Sequence, residues 1–112
     1  MKFFCQNTLG LKGLKVNLPE FKLHWYRFAN EHNIDLSPKE RFNRLFGEFR
    51  ELHISWLEKH TPEEIQEEAI DVLITSLALL DSLGVKDPLW AAYLKLEQVR
   101  KRESYRQLRG ER

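Results

Sequence analysis

The sequence predicts an all-α fold, a bundle of four to five helices that assembles into an oligomer. Helix start signals recur along the chain, apolar residues beyond residue 17 follow the roughly 3.6-residue period of a helix, and no Asn-Gly or Gly-Asn hairpin turn occurs. A chain of 112 residues forms one domain, and a core of this size buries only about two-thirds of the surface that the unfolded chain exposes. Such limited burial favours oligomerisation.

The first predicted helix covers residues 19–32 and follows an N-terminal arm. Pro19 opens the stretch FKLHWYRFANEH, which contains no glycine or proline and ends among asparagines. Residues 1–16 form an extended arm, a short hairpin or a poorly ordered tail, and the sequence does not decide among these. We expect one helical domain over residues 17–105 and a frayed, arginine-rich tail over residues 106–112.

Capping patterns mark the starts of three further helices. The sequences SPKE, from Ser37, and TPEE, from Thr61, both place a hydroxyl at the N-cap, proline at the first helical position and glutamate at the third. This is the pattern of a capping box, so helices begin near 38 and 62. Asp87 and the proline after it start a fourth helix, and Gly84 suits the left-handed position that closes the third.

The composition is that of an ordinary globular chain, with 42% hydrophobic residues, 31% charged residues and a formal net charge of +1. This balance gives no overall attraction for nucleic acid or acidic lipid. No window approaches the roughly 18 apolar residues of a membrane span, and no signal-peptide run is present. The single cysteine, Cys5, excludes an internal disulfide. We therefore expect a cytoplasmic protein that binds neither membranes nor nucleic acid.

The second helix has an apolar stripe with acids beside it. Two of these acids, Glu48 and Glu51, have an i, i+3 spacing that directs both carboxylates along one edge of the helix. They make half of a metal site. The apolar residues recur at three- and four-residue steps and predict a face toward a core; they are Phe42, Leu45, Phe46, Phe49, Leu52, Trp56 and Leu57.

The third helix carries a narrow acidic stripe on an apolar background. After Asp71 it reads VLITSLALL, which is typical of a helix packed on most sides. Carboxylates buried together need cations to compensate them. Hard oxygen ligands without cysteine or histidine on the acidic edge favour Mg²⁺, or Mn²⁺, over zinc. The polar residues that fall within an arc of about 60° are Glu64, Glu68, Asp71, Thr75 and Ser82.

The segments EFREL at 48–52 and EEAIDVL at 67–73 resemble the MazG-type all-α nucleoside triphosphate pyrophosphohydrolases, whose signature is Glu-x-x-Glu, a spacer and Glu-x-x-Asp. The resemblance covers roughly residues 38–102. It implies a homodimer or homotetramer that cleaves (d)NTP to (d)NMP and pyrophosphate with Mg²⁺, as in nucleotide-pool cleaning. The positions that match the family's metal ligands are Glu48, Glu51, Glu68 and Asp71.

The chain departs from the family pattern at two positions. Many members have a glutamate where this chain has Gly47, so Glu48 or Glu67 is the candidate base that activates water. The family's Lys-x-x-x-Asn-x-x-Arg pattern is matched by Lys95 and Arg102, the candidate phosphate ligands, with valine in place of the asparagine. The competing interpretation is a solvated basic turn that complements the helix dipole.

Aromatic side chains on the first helix are candidates for stacking on a nucleobase. His24 and Trp25 are the base-binding candidates, although core or interface packing is the common role of such residues. An alternative function is a non-catalytic helical dimer that binds a nucleotide or a protein partner. A nucleic-acid contact by the arginine-rich tail is disfavoured by the balanced charge.

Overall fold

The computed structural model describes residues 16–108 and Gly110, with side chains described up to residue 103 and at residue 110. Four α-helices and no strand occur in this part of the chain: α1 (Leu18–Glu31), α2 (Pro38–Leu57), α3 (Pro62–Ser82) and α4 (Pro88–Leu108). The predicted all-α fold is thus confirmed over these residues. Almost all of the predicted arm, and Cys5 with it, lies outside them. None of the described helices is both long enough and apolar enough to cross a membrane.

Side-chain caps fix where the helices begin. The side chains of Asn17, Ser37 and Thr61 each accept a hydrogen bond from the backbone N–H three residues on. Asp87 does the same for the N–H of Trp90 before α4. Each cap satisfies an N–H group that has no partner within the helix. The helix starts predicted from the sequence are confirmed.

Only one of the two predicted capping boxes forms. At Thr61 both bonds are present, because the Glu64 carboxylate also accepts from the Thr61 N–H at 2.9 Å. The predicted box at Ser37 is wrong. The Ser37 N–H donates instead to Oδ1 of Asp35 at 2.8 Å, since a carboxylate two residues upstream reaches this N–H locally.

The α2–α3 pair forms the body of the fold, and the buried residues of α2 are polar. The buried residues of α2, Arg41, Glu48 and Ser55, recur every seven positions. Residues with this spacing lie on one side of a helix and form a seam that can pack along a neighbouring helix. On α3 the buried residues are Thr75 and Ala78. The seam that packs against α3 therefore contains charged and hydroxyl groups where a helical pair usually has aliphatic ones.

The predicted orientation of the apolar stripe on α2 is wrong for most of its members. Leu45 and Leu52 are half-buried beside the polar seam, but the remaining members form a second seam that faces away from α3. A helix with two seams can bury only one of them against a single neighbour. The stripe residues with more than half of their surface exposed are Phe42, Phe46, Phe49, Trp56 and Leu57.

Polar bonds hold α1 against the C-terminal end of α3. Lys22 Nζ lies 3.2 Å from Oδ1 of Asp81 and donates to the Lys86 carbonyl at 2.9 Å. The Tyr26 hydroxyl donates to the other oxygen of Asp81. One carboxylate at the end of α3 thus fixes two successive turns of α1, which places the next residues of α1 beside α2.

The part of the chain that the structure describes has little apolar core. Only small apolar residues, Ala29, Ala78 and Pro88, are buried within the residues that the structure describes. On α4, Trp90 and Tyr93 stack on each other with centroids 5.4 Å apart, and both are more than half exposed. The radius of gyration is 17.4 Å, against about 13 Å for a compact domain of 100 residues. The single chain is therefore open and rich in exposed apolar surface.

Candidate metal centre and adjoining cavity

Three carboxylates converge where α2 packs against α3. One oxygen from each of Glu48, Glu68 and Asp71 lies within 4.8 Å of the other two. Glu48 is only 4% exposed, and the other two acids are half-buried. The seven-residue seam of α2 directs Glu48 at α3, and the i, i+3 spacing on α3 places its two acids on the same side. Three hard oxygen donors at this separation suit one divalent cation.

The three acids hold their negative charge at a cost. Burial is the main cause that raises the pKa of Glu48, Glu68 and Asp71, and their acidic neighbours raise these pKa values further. For Glu48 and Asp71, the Arg44 guanidinium acts in the opposite direction. Carboxylates that are desolvated and face one another need a compensating cation. The three acids thus suit a metal ion both by the separation of their oxygens and by their need for a compensating positive charge.

The fourth predicted ligand, Glu51, lies at the rim of the cluster. Its side chain is exposed, and it is not among the three acids whose oxygens converge. It is nevertheless near enough to raise the pKa of Glu48, Glu68 and Asp71. The structure thus brings three of the four predicted ligands together and leaves the fourth beside them.

The candidate bases also lie around this cluster. Glu67 is half-buried on α3 and contributes to the raised pKa values of Glu68 and Asp71, so its carboxylate is a neighbour of the convergent acids. Glu48 belongs to the convergent acids themselves. At Gly47, where many MazG-type proteins have a glutamate, an added Cβ would meet no atom within 4 Å. Packing therefore does not explain the glycine.

An ion pair that the sequence analysis did not identify joins Arg44 to Glu48. The distance between Arg44 Nη2 and Glu48 Oε2 is 2.7 Å. The two residues lie one turn apart on α2, and this i, i+4 spacing was the signal available in the sequence. Arg44 is the cation within the protein that compensates part of the charge on the buried acid.

A cavity of about 500 Å³ opens beside the acids. Its wall joins α1, the turn at 32–35, α2 and α3, so four separate stretches of chain form it. Pockets of about 300–1,000 Å³ accommodate small organic ligands. The lining combines aromatic, basic and acidic side chains; it includes Trp25, Phe28, Arg41, Arg44, Glu48 and Asp71.

The predicted substrate contacts have different positions relative to this cavity. Trp25 lines it, whereas His24 lines a neighbouring apolar groove of about 220 Å³ that shares Trp25 and Phe28 with it. Lys95 and Arg102 are exposed on α4 and do not line the cavity of their own chain. Of the four predicted substrate ligands, the structure thus places only Trp25 in the cavity that Glu48 and Asp71 line.

A serine, a histidine and a glutamate are linked by side-chain hydrogen bonds at the end of α2. Ser55 Oγ is 3.0 Å from Nδ1 of His60, and Nε2 of the same ring is 3.0 Å from Oε1 of Glu58. Ser55 is only 2% exposed, so a substrate cannot reach its hydroxyl. These bonds close the C-terminal end of α2, where the His60 N–H also donates to the Ser55 carbonyl. They do not form a nucleophilic site.

Comparison with known proteins gives no match to any family model, any curated protein or any solved structure. The MazG-like motif therefore remains a resemblance carried by short segments of α2 and α3. The function has to be argued from the residues at the site and their geometry.

Proposed function

We propose that this chain is a Mg²⁺-dependent nucleoside triphosphate pyrophosphohydrolase that converts (d)NTP to (d)NMP and pyrophosphate. The observation that supports this most is the convergence of Glu48, Glu68 and Asp71, of which Glu48 and Asp71 line a cavity of about 500 Å³. The cavity offers an aromatic wall, cationic side chains and hard oxygen ligands in one continuous space. The base, the phosphates and the cation of a metal-chelated nucleotide match these three features. Removal of unwanted nucleotides from the cellular pool is a role that suits this reaction.

The donor set fits Mg²⁺, with Mn²⁺ as the second candidate. Glu48, Glu68 and Asp71 would hold the ion, and Glu51 would join them from the rim. These ligands are all carboxylates, which hard divalent cations prefer. When bound, Mg²⁺ supplies positive charge to the phosphate oxygens and lowers the pKa of water.

The chain's own residues then account for binding and proton transfer. Trp25, which lines the cavity, offers a planar face for the base. The oxygen of a water molecule forms a bond to the α-phosphorus, and the bond from this phosphorus to the bridging oxygen breaks. Pyrophosphate leaves with the electron pair. Glu67 takes the proton from the attacking water, because Glu48 is engaged by Arg44 and belongs to the convergent acids.

The functional unit in this proposal is a homodimer or homotetramer. The second seam of α2 exposes more than half of Phe42, Phe46 and Phe49, and α4 exposes Trp90 and Tyr93 to a similar degree. Contiguous apolar patches of this kind mark interaction surfaces. The predicted phosphate role of Lys95 and Arg102 then requires α4 of one copy to reach the cavity of another.

A substrate panel tests the activity. We expect release of pyrophosphate from at least one ordinary or modified ribo- or deoxyribonucleoside triphosphate, with Mg²⁺ or Mn²⁺. Asp71→Asn removes one ligand charge with little change of shape and should abolish turnover. Glu63→Gln is the matched control, because Glu63 is an exposed acid on the same helix outside the cluster. Lack of turnover of every nucleotide with either metal would refute the enzyme.

The alternative is a non-catalytic helical dimer that binds a nucleotide or a protein partner. The exposed aromatic seam of α2 favours it, since an interaction module needs such a surface and no catalysis. The same panel distinguishes the two functions. Nucleotide binding without turnover, combined with assembly through α2, would support the alternative.

A further inference from the structure

Arg41 is a buried cation that makes no ion pair with a described acid, although it lies near enough to Asp35 to lower the pKa of that carboxyl. It is 7% exposed, and no acid lies within the 4.0 Å of an ion pair around its guanidinium among the residues described by the structure. Buried charges in proteins are normally paired. Arg41 therefore differs from Arg44, which is 63% exposed and paired with Glu48.

The position of Arg41 is fixed by contacts that leave most of its donors unused. Its Nε donates to the Asp35 carbonyl at 2.8 Å, and its Cζ lies 5.8 Å from the centroid of the Trp25 ring. The two Nη nitrogens make no hydrogen bond to the described residues. Arg41 lines the cavity beside the acids. A planar donor group is thus held in place at this cavity with its Nη pair available.

The helix dipole and Arg44 increase the demand for an anion, and the Asp35 carboxylate, which lines the same cavity, meets only part of it. Arg41 follows Pro38 by three residues, so its charge lies near the positive end of the α2 dipole, where a cation is unfavourable and an anion is favourable. Arg44 lines the same cavity one turn further along, next to Glu48. Along α2, one wall of the cavity therefore runs from a cationic section to the acids.

We propose that Arg41 and Arg44 form the phosphate-binding site of this chain, in which the phosphate groups of a metal-chelated triphosphate bind to the two guanidinium groups. Arg41 supplies fixed bidentate donors, and Arg44 extends the cationic wall toward the acids. The inference rests on the proposed function for the identity of the ligand as a nucleotide. It assigns phosphate binding to α2 of the same chain, in addition to the candidates on α4.

Binding measurements with fixed Mg²⁺ and ionic strength test the assignment. The probes are inorganic triphosphate and the α,β-imido analogues of the four dNTPs, measured by titration calorimetry. We expect Arg41→Gln and Arg44→Gln each to weaken binding of inorganic triphosphate by about tenfold to a hundredfold, the effect of losing a charged hydrogen-bonding group. Arg41→Lys should restore only part of the affinity, because lysine lacks the planar pair of donors.

The matched control is Arg50→Gln. Arg50 is an exposed arginine of α2 that lies over Phe46, with 6.0 Å between its Cζ and the ring centroid, and it does not line the cavity. It should leave triphosphate affinity unchanged. Arg44 is largely exposed, so Arg44→Gln keeps the test decisive if the Arg41 variant is unfolded by circular dichroism.

The outcomes separate this assignment from the proposed function. If the wild type hydrolyses nucleotides and both glutamine variants bind triphosphate as it does, the assignment is overturned and the enzyme stands. If arginine-dependent binding of inorganic triphosphate occurs without turnover of any nucleotide, the assignment stands and the enzyme is refuted. If the wild type binds none of the probes, both are overturned.

Discussion

Arg44 and Glu48 form an ion pair along α2, with 2.7 Å between Nη2 and Oε2, in which the acid is buried and the arginine is largely exposed. One oxygen of Glu48 also lies within 4.8 Å of an oxygen of Glu68 and of an oxygen of Asp71. A guanidinium and a metal ion would therefore act on one carboxylate. Arg44 would therefore compete with the cation for Glu48, and in the proposed site it would also bind the phosphates.

Replacement of Arg44 should strengthen Mg²⁺ binding in the absence of nucleotide. Arg44→Gln removes a positive charge next to a metal ligand, and we expect Mg²⁺ affinity to rise by up to about fivefold, the range of a partly exposed ion pair. Titration calorimetry with Mg²⁺ alone measures this change, and Arg50→Gln serves as the control. Weaker Mg²⁺ binding by Arg44→Gln would show that the arginine supports the metal site.

The acids on α3 should be required for stabilisation by metal. A ligand that binds only the folded state at a hundred times its Kd stabilises it by about 2.7 kcal/mol, so saturating Mg²⁺ should raise the Tm of the wild type. Glu68→Gln and Asp71→Asn should lose this rise and keep their helical circular dichroism. Glu63→Gln should retain it. An unchanged Mg²⁺ response in both ligand variants would exclude the site.

Stability without metal should depend on pH through the same acids. The pKa values of Glu48 and Glu68 in the folded state lie above the usual 4.5, and that of Asp71 lies above 3.8. Over this window the folded state binds more protons than the unfolded state, so the acids' contribution to stability falls as pH rises. Lowering the pH from neutral through the raised pKa values should therefore stabilise the metal-free protein.

Urea unfolding across this pH range, with a variant that carries Glu48→Gln, Glu68→Gln and Asp71→Asn, isolates the effect. The difference in free energy of unfolding between variant and wild type should shrink as pH falls. With saturating Mg²⁺ the trend should reverse, because protons then compete with the cation for the carboxylates. The same pH dependence in variant and wild type would assign the effect to other groups.

Helix positions were predictable from the sequence because the signals are local. The side chain of Thr61 bonds to backbone within its own turn, and nothing distant is needed to form that cap. Glu68 and Asp71 were identified for a related reason, since the apolar sequence around them makes an acidic stripe conspicuous. The helix caps and the acidic stripe can both be recognised from a few residues that are close together in the sequence.

The orientation of α2 and the cavity were not predictable in this way. Leu45 and Phe46 both belong to apolar seams, and only the position of α3 decides which seam is covered. Arg41 lines the cavity because the turn at 32–35 and Trp25 on α1 meet it there. The position of α1 beside Arg41 depends on the bonds of Lys22 and Tyr26 to Asp81. These bonds join residues that are far apart in the sequence.

The Tyr26 hydroxyl should hold α1 in place. Tyr26→Phe removes one bond to Asp81 and leaves the ion pair with Lys22. We expect amide hydrogen exchange within α1 to accelerate by up to about fivefold, corresponding to about 1 kcal/mol for one hydrogen bond, with little change in α2 and α3. Tyr93→Phe on α4 is the control. Unchanged exchange in α1 would assign its position to Lys22 and packing alone.

The aromatic seam of α2 should be the surface through which copies assemble. Phe46 and Phe49 are more than half exposed and lie on the side of α2 away from the acids. Phe46→Lys places a charge there and should raise the dissociation constant of the oligomer by about thirtyfold or more if the residue is central to the interface. Sedimentation velocity over a range of concentrations measures the change. Leu23→Lys on α1 applies the same charge at another exposed apolar site and should leave assembly intact.

Because the single chain buries so little apolar surface, dissociation should also lower its Tm at a given concentration. A wild-type chain that sediments as a stable monomer at all concentrations would contradict the assembly, and equal dissociation by Leu23→Lys would move the interface from α2 alone to a surface shared with α1.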